Sequence, residues 1–231
     1  MIILINVTNM TEQQYLSREP VQYTRKQRLR NWLYYNKWWL VIGAVILWII
    51  GSMIWNVLGI GKVRPDYTFA YVGGYALPDE CAELLERELA ALGEDVNGDG
   101  RVTVELRQYP LYRGDDTDTM YYAYASDITL VADITEGESY FFILEDPVSF
   151  QLNYQALANP DGTPPDHKDF GADGKARLWS DCPALDSLDI GEYRELMSGL
   201  YIGRRFFSDE SKVKNLEENK ALWEIIISGI Q

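Results

Sequence analysis

The chain has 231 residues, with 21 Lys and Arg against 35 Asp and Glu, one His and two Cys, for a net charge of −14. An acidic balance of that size repels nucleic-acid phosphates and excludes a nucleic-acid-binding role. A single histidine, His167, excludes histidine-rich zinc sites and the HExxH helix, and neither a G-x-S-x-G elbow nor a P-loop occurs.

The first element of note is the run WWLVIGAVILWIIGSMIWNVLGI, residues 38–60, which opens on Trp38 and closes on Ile60. It holds no charge, and Ser52 and Asn56 are its only clearly polar side chains. As a helix it spans about 35 Å against a hydrocarbon core of roughly 30 Å, enough to cross a bilayer with a modest tilt. It is also longer than the apolar core of a cleaved signal peptide, so it reads as an uncleaved signal anchor. Trp32, Tyr34, Tyr35, Trp38 and Trp39 cluster at its start as an interfacial aromatic belt. The expected organisation is a cytoplasmic basic tail with a juxtamembrane aromatic segment over 1–37, a transmembrane helix over 38–60, a short linker over 61–65 and one outer domain over 66–231. Residues 1–9 carry no charge and are too short to span, which leaves the true start of translation open between Met1 and Met10.

Charge divides at the anchor. Residues 1–60 hold six basic and two acidic side chains, +4, which leaves 15 basic and 33 acidic side chains, −18, for 61–231. Basic residues beside a span stay cytoplasmic, so the N-terminus is expected inside the cell membrane and the C-terminal domain outside it. Some 165 residues suffice for a single core. An outer location permits a disulfide. Cys81, however, falls on an apolar helical stripe with Leu84, Leu85 and Leu89, the pattern of a buried thiol, and spacing leaves pairing with Cys182 open.

Within the outer domain, 66–72 alternates and reads as a strand ended by Gly73-Gly74. Pro78 opens a helix to about Leu92, with Asp79 and Glu80 near its positive end and Gly93 as its stop. A second strand follows over 101–109, then a helix over 115–133. The run YFFIL, 140–144, is continuously apolar, as in a strand buried on both faces. A helix over 147–158, a Pro-, Gly- and Asp-rich loop over 159–175, short strands over 176–179 and 200–207 and a last helix over 215–228 complete the chain. This alternation predicts an α/β domain with a mainly parallel central sheet between two helical layers, with ligands favoured at the carboxyl ends of the strands. The loops concerned are Gly73-Gly74, 109–116 and Glu145-Asp146.

The segments LRNWLYYNKWW (29–39), YVGG (71–74), GEDVNGDGRVTV (93–104), YFFILEDP (140–147) and GLYIGRRF (199–206) resemble uncharacterised membrane-anchored proteins of Gram-positive bacteria. The outer domain is similar to one lobe of the extracellular solute-binding proteins of ABC transporters. That resemblance implies ligand recognition outside the cell. The chain is too short for the two lobes of a full solute-binding protein and has no lipobox cysteine, so no ligand-binding residue carries over.

The sharpest local motif is Asp95-Val-Asn97-Gly-Asp99-Gly100, the first half of a calcium loop, with oxygen ligands from Asp95, Asn97 and Asp99 and the carbonyl of Arg101 at the seventh position. The twelfth position is Leu106 where calcium needs a bidentate carboxylate, and a plain helix-to-strand turn calls for the same Asn, Gly and Asp residues. His167 lies among Asp161, Asp166, Asp169 and Asp173 and reads as solvated loop chemistry. Tyr109, Tyr112, Tyr121, Tyr122 and Tyr124 cluster after the second strand, where rings either stack on a ligand or cover the sheet. Arg204-Arg205 reads as a surface ion-paired couple. The partners expected are the lipid bilayer, through 38–60, and an extracellular ligand or envelope protein, with calcium as the one candidate cofactor. Three functions follow in order. The first is a non-enzymatic tethered binding module, favoured by a concave mouth at the strand ends. The second is an accessory subunit of an envelope complex, favoured by a flat apolar patch. The third is a carboxylate-dependent surface hydrolase, favoured by converging acids in a pocket.

Overall fold

The computed structural model describes residues 23–57, 65–112, 117–166, 169–207, 209–210 and 213–229. The chain forms two units, 1–62 and 63–231. The first contains α1 (Arg25–Val57), which is long and apolar enough to cross a membrane. Its 33 residues extend about 50 Å and begin thirteen residues before the apolar run. The early start has a local cause. Gln27 Oε1 accepts from the Thr24 N–H at 2.9 Å, and Thr24 Oγ1 accepts from the Gln27 N–H at 3.4 Å, a reciprocal capping box. Trp32, Tyr34, Tyr35, Trp38, Trp39 and five of the six basic residues before the apolar run therefore lie on the same helix as that run. Residues 58–60 of the expected span, and Met10, fall outside the described residues.

The second unit is built on strands β1 (Tyr67–Gly73), β2 (Val104–Pro110), β3 (Phe141–Leu144), β4 (Ala176–Leu178) and β5 (Tyr201–Arg204). They form one sheet in the order β2-β1-β3-β5-β4. β1 pairs in parallel with β2 and with β3, while β5 opposes both β3 and β4. Four strands thus point one way and β5 alone is reversed. The helices are α2 (Asp79–Ala90), α3 (Thr117–Glu136), α4 (Pro147–Tyr154), α5 (Pro183–Asp186), α6 (Arg194–Ser198) and α7 (Leu216–Ser228). The expected mixed α/β fold with a mostly parallel sheet is present.

Side chains alternate across the sheet, and the two faces bury separate apolar clusters. Phe69, Tyr71, Phe141 and Ile143 join one cluster with Leu85 and Leu89 of α2 and Leu222 and Trp223 of α7. Phe69 and Phe141 stack with ring centroids 4.5 Å apart. Ala70, Val72, Phe142 and Leu144 join the other cluster, with Leu130 of α3 and Phe150 of α4. All four residues of β3 are buried, each large side chain contributing roughly 1.5–3 kcal/mol. Cys81 and Cys182 are free, buried thiols in the first cluster.

Several boundaries move for identifiable reasons. β2 begins at Val104 because the amides before it go to carboxylates, Arg101 N–H to Asp99 and Thr103 N–H to Asp66. α4 ends at Tyr154, where Gln155 turns left-handed at φ 50°. The chain then runs beside β5, with the Ala158 N–H donating to the Arg204 carbonyl at 2.9 Å. Gly93 does not stop α2 by a left-handed turn. Ala91 caps the helix in right-handed geometry, and a Cβ on Gly93 would lie 2.4 Å from Cε2 of Tyr67. Residues 179–198, which show no long periodicity, fold into short turns and the helices α5 and α6. These place Trp179, Leu185, Ile190 and Met197 in the first cluster.

Candidate functional site

β1 and β3 are parallel neighbours whose outgoing chains lead to different apolar clusters. β1 leads to α2, whose Cys81, Leu85 and Leu89 join the first cluster, and β3 leads to α4, whose Phe150 joins the second. Diverging connections open a crevice at the carboxyl ends of the two strands, the general ligand position in open α/β sheets. Here it is a cavity of about 270 Å³ whose lining includes Val72, Leu111, Tyr112, Glu145, Phe150 and Asn153. Hollows of about 370 and 580 Å³ border the amino-end side of the sheet near Gly137, Phe207 and Val213. They flank residues outside the described set, so the crevice between β1 and β3 is the site considered further.

Three loops are tied together around it. The Leu111 and Tyr112 N–H groups donate to the Gly73 and Gly74 carbonyls at 2.8 and 2.9 Å, joining the ends of β2 and β1. The Gly74 N–H donates to Glu145 Oε2 at 2.5 Å, joining β1 to β3. These ties bring Tyr75 and Tyr112 into a stack with centroids 4.9 Å apart, both rings exposed. Gly73 is required by close approach rather than by its φ, since a Cβ there would meet the Tyr71 hydroxyl at 2.3 Å and Glu145 Oε2 at 2.9 Å. Burial, and then the charge of Glu145, push the Tyr71 phenol up to about 12, so it stays neutral.

The acids at the mouth differ in role. Asp146 caps α4: its Oδ1 accepts from the Val148 and Ser149 N–H groups at 3.0 Å each, and its Oδ2 from the Ser149 hydroxyl at 2.6 Å. The hydroxyl bond, followed by the Ser149 amide bond, holds its carboxyl below the usual carboxylate range. Glu145 is exposed, and among the described residues no Lys or Arg pairs with it. Glu145 lies in a turn that strand polarity marks, but its bond to Gly74, 71 residues away, and the Tyr75–Tyr112 stack arise from tertiary pairing of loops and carry no local sequence pattern.

The five tyrosines singled out from the sequence separate. Tyr112 reaches the crevice. Tyr109 is buried, its hydroxyl donating to Asp133 Oδ2 at 2.6 Å within a network that includes Ser139 and Arg107. Tyr121, Tyr122 and Tyr124 lie exposed on α3 with Ile128 and Val131, and Leu152 and Val148 of α4 are exposed as well. Asp127 of α3 accepts from the Tyr154 hydroxyl of α4 at 2.6 Å, which ties the two helices together. The stripe formed by Tyr121, Tyr124, Ala125, Ile128, Val131 and Ala132 carries no charge.

The loop holding Asp95, Asn97, Asp99 and Arg101 is an ordered helix-to-strand turn. Asp95 accepts from the Gly98 and Gly100 N–H groups at 2.7 and 2.8 Å, Asn97 from Asp99 N–H at 2.9 Å, and Asp99 from Arg101 N–H at 2.9 Å. Gly98 and Gly100 are left-handed at φ 75° and 88°. Asp66, buried at the start of β1, braces the loop from below. Its Oδ1 accepts from Val96 and Asn97 N–H at 2.9 Å each, and its Oδ2 from Thr103 N–H at 2.7 Å. Three side chains and one carbonyl supply four oxygens where calcium takes six to eight, so water would provide the rest. Glu105 faces Arg107 at 3.0 Å instead of closing the loop. Among the described residues, no three His, Cys, Asp or Glu side chains gather as a metal-binding group.

Arg204 and Arg205 are not a surface couple. Arg204 is buried, its Nη2 donating to the Pro160 carbonyl at 2.8 Å and its guanidinium lying 5.4 Å from the Trp223 ring centroid. Arg205 donates to the Asp133 and Ile134 carbonyls at the end of α3, and burial lowers its pKa. His167 falls outside the described residues.

The chain matches no protein-family model, no curated protein and no solved structure.

Proposed function

We propose that this chain is a membrane-tethered, extracytoplasmic binding module without catalytic activity, held by α1 with its N-terminus in the cytoplasm. The observation that carries the proposal is the crevice at the carboxyl ends of β1 and β3, with an apolar floor of Val72, Leu111 and Phe150 under an acidic and aromatic rim. The two apolar clusters support a three-layer domain, and the charge step from +4 to −18 across the anchor supports the orientation. In this reading the domain acts as a single lobe, similar to one half of a solute-binding protein, and recognises ligands within reach of the membrane surface. Calcium at Asp95, Asn97, Asp99 and the Arg101 carbonyl is a subsidiary part of the proposal, supported by the alternate positions of these residues in the sequence. Calorimetry of the full chain tests it, and absence of heat at millimolar calcium removes it.

A second reading, an accessory subunit of an envelope complex, rests on the uncharged outer stripe of α3, with Tyr121 73% and Ile128 70% exposed in a strongly acidic domain. One experiment separates the two. A photocrosslinking residue is placed at Asn153 in the crevice, at Ile128 on α3, or at exposed Ser180 as a control, in native membranes. Small mass additions at position 153 above the control support the binding module. Protein-sized adducts confined to position 128 support the subunit reading and overturn the first.

A further inference from the structure

The charges and rings of the crevice restrict what it can hold, and the following rests on the binding-module reading above. Among its described lining residues, the ionised side chains are Glu145 and Asp146, and none is basic. Asp146 has both oxygens occupied as the cap of α4. It thereby also takes the amides that would otherwise make a helix N-terminus attractive to an anion. Glu145 is different. Its Oε2 holds the Gly74 N–H, which fixes the carboxylate in place, and its charge has no basic partner among the described residues. Tyr112 lines the cavity with it, its ring stacked on the exposed Tyr75, and aromatic faces attract cations, while Val72, Leu111 and Phe150 supply an apolar floor. The volume, about 270 Å³, is at the small end of ligand cavities. The −18 charge of the outer residues draws cations toward the domain and repels anions.

We propose that the crevice binds a small organic cation, a primary ammonium or guanidinium on an apolar body. Glu145 receives the charge, Tyr112, stacked on Tyr75, flanks it, and Val72, Leu111 and Phe150 bury the body. Anionic ligands of the same shape are rejected by Glu145, and neutral ones bind through the floor alone.

The test uses the full chain in nanodiscs and three probes of one shape: phenethylammonium, 2-phenylethanol and phenylacetate. Binding is followed by calorimetry and by the NMR signals of Tyr112 and Asn153. The expected order is ammonium, then alcohol, then carboxylate, with the ammonium at least 10-fold tighter than the alcohol and weakening as salt rises from 50 to 500 mM. The Glu145→Gln variant retains an oxygen for the Gly74 N–H. It should reduce ammonium affinity to that of the alcohol while leaving the alcohol unchanged. Equal affinity for ammonium and alcohol, with both signals shifting, overturns the cation assignment and leaves the crevice as a site. Undiminished ammonium binding in Glu145→Gln also overturns it. If no probe moves the Tyr112 or Asn153 signals, the crevice reading and the cation assignment fail together.

Discussion

Asp66 offers the most direct test of how this domain is held together. It is 3% exposed, and its carboxylate takes three backbone N–H groups from the segment between α2 and β2. Hydrogen bonds to a charged group contribute about 1.5–3 kcal/mol each, and unsatisfied donors cost a similar amount. In Asp66→Asn the amide oxygen keeps the Val96 and Asn97 N–H groups, while its NH₂ faces the Thr103 N–H donor to donor. The expected loss is about 2–3 kcal/mol, one charged bond plus a misplaced donor. Asp66→Ala strands all three amides and should cost about 4 kcal/mol, partly recovered where water reaches the loop. Hydrogen exchange on the full chain reads this locally. A loss of 2 kcal/mol speeds exchange of the Val96, Asn97 and Thr103 amides roughly 30-fold, and urea unfolding followed by tryptophan fluorescence reads the global value. If Asp66→Asn unfolds within 0.5 kcal/mol of the parent and the three amides exchange unchanged, the bracing role of Asp66 is refuted.

Three further outcomes follow from burial. Burial raises the phenol pKa values of Tyr71, to about 12, and of Tyr109, where the Asp133 hydrogen bond adds to the rise. Raised folded values mean that the stabilisation is complete below the free phenol range near 10 and is lost as pH climbs from about 10 to 12. Thermal scans from pH 8 to 12 should show Tm beginning to fall above about pH 9, where the buried Cys81 and Cys182 thiols start to lose their stabilisation, and falling more steeply above about 10 as the phenols join them, and a flat profile would contradict the burial. Cys81 and Cys182 are buried free thiols whose pKa values burial raises, to about 11 for Cys182, so neither should react with maleimide until the domain is unfolded by urea. Stoichiometric labelling of the native protein would show that this packing is wrong. Gly93→Ala drives a Cβ into the Tyr67 ring and should destabilise by about 1–3 kcal/mol. Equal or higher stability would mean that the ring relaxes freely.

What could be read from the chain alone is what depends on neighbours in sequence. The apolar run of α1, the alternation of β1 and the unbroken FFIL of β3 each carry their own signal, and all three elements are present. The reversal of β5 had no such signal. YIGR is as compatible with one direction as the other, and its direction follows from pairing with Phe141–Leu144 far upstream. The short helices of 179–198 are not legible because four- and five-residue pieces show no period; what fixes them is the burial of Trp179, Leu185 and Met197. Gly73 and Gly93 read as breaks, but the reason for glycine there is that a neighbouring tyrosine needs the space of a Cβ. Strand polarity alone points to the turns at Gly73-Gly74 and Glu145-Asp146, and these residues line the crevice. The contacts of Glu145 and Tyr75 are not legible there, because they depend on which backbone amide and which ring these residues meet across the sheet.

The reversed strand has a consequence for the order of assembly. β1, α2, β2, α3 and β3 form a consecutive unit, but the next partner of β3 arrives late. Leu144 pairs with Tyr201 and Phe141 with Arg204, contacts 57 and 63 residues apart by subtraction. Closing such long loops is slow relative to local structure. Until β5 inserts, β3 presents an open edge composed of four large apolar residues, the kind of edge that recruits other chains. β4 cannot take its place, because its pairing in the sheet is to β5. The interval between synthesis of residue 144 and residue 204 is therefore when this chain is most exposed to misassembly, and slowing elongation across 145–200 should lower its yield more than slowing it elsewhere.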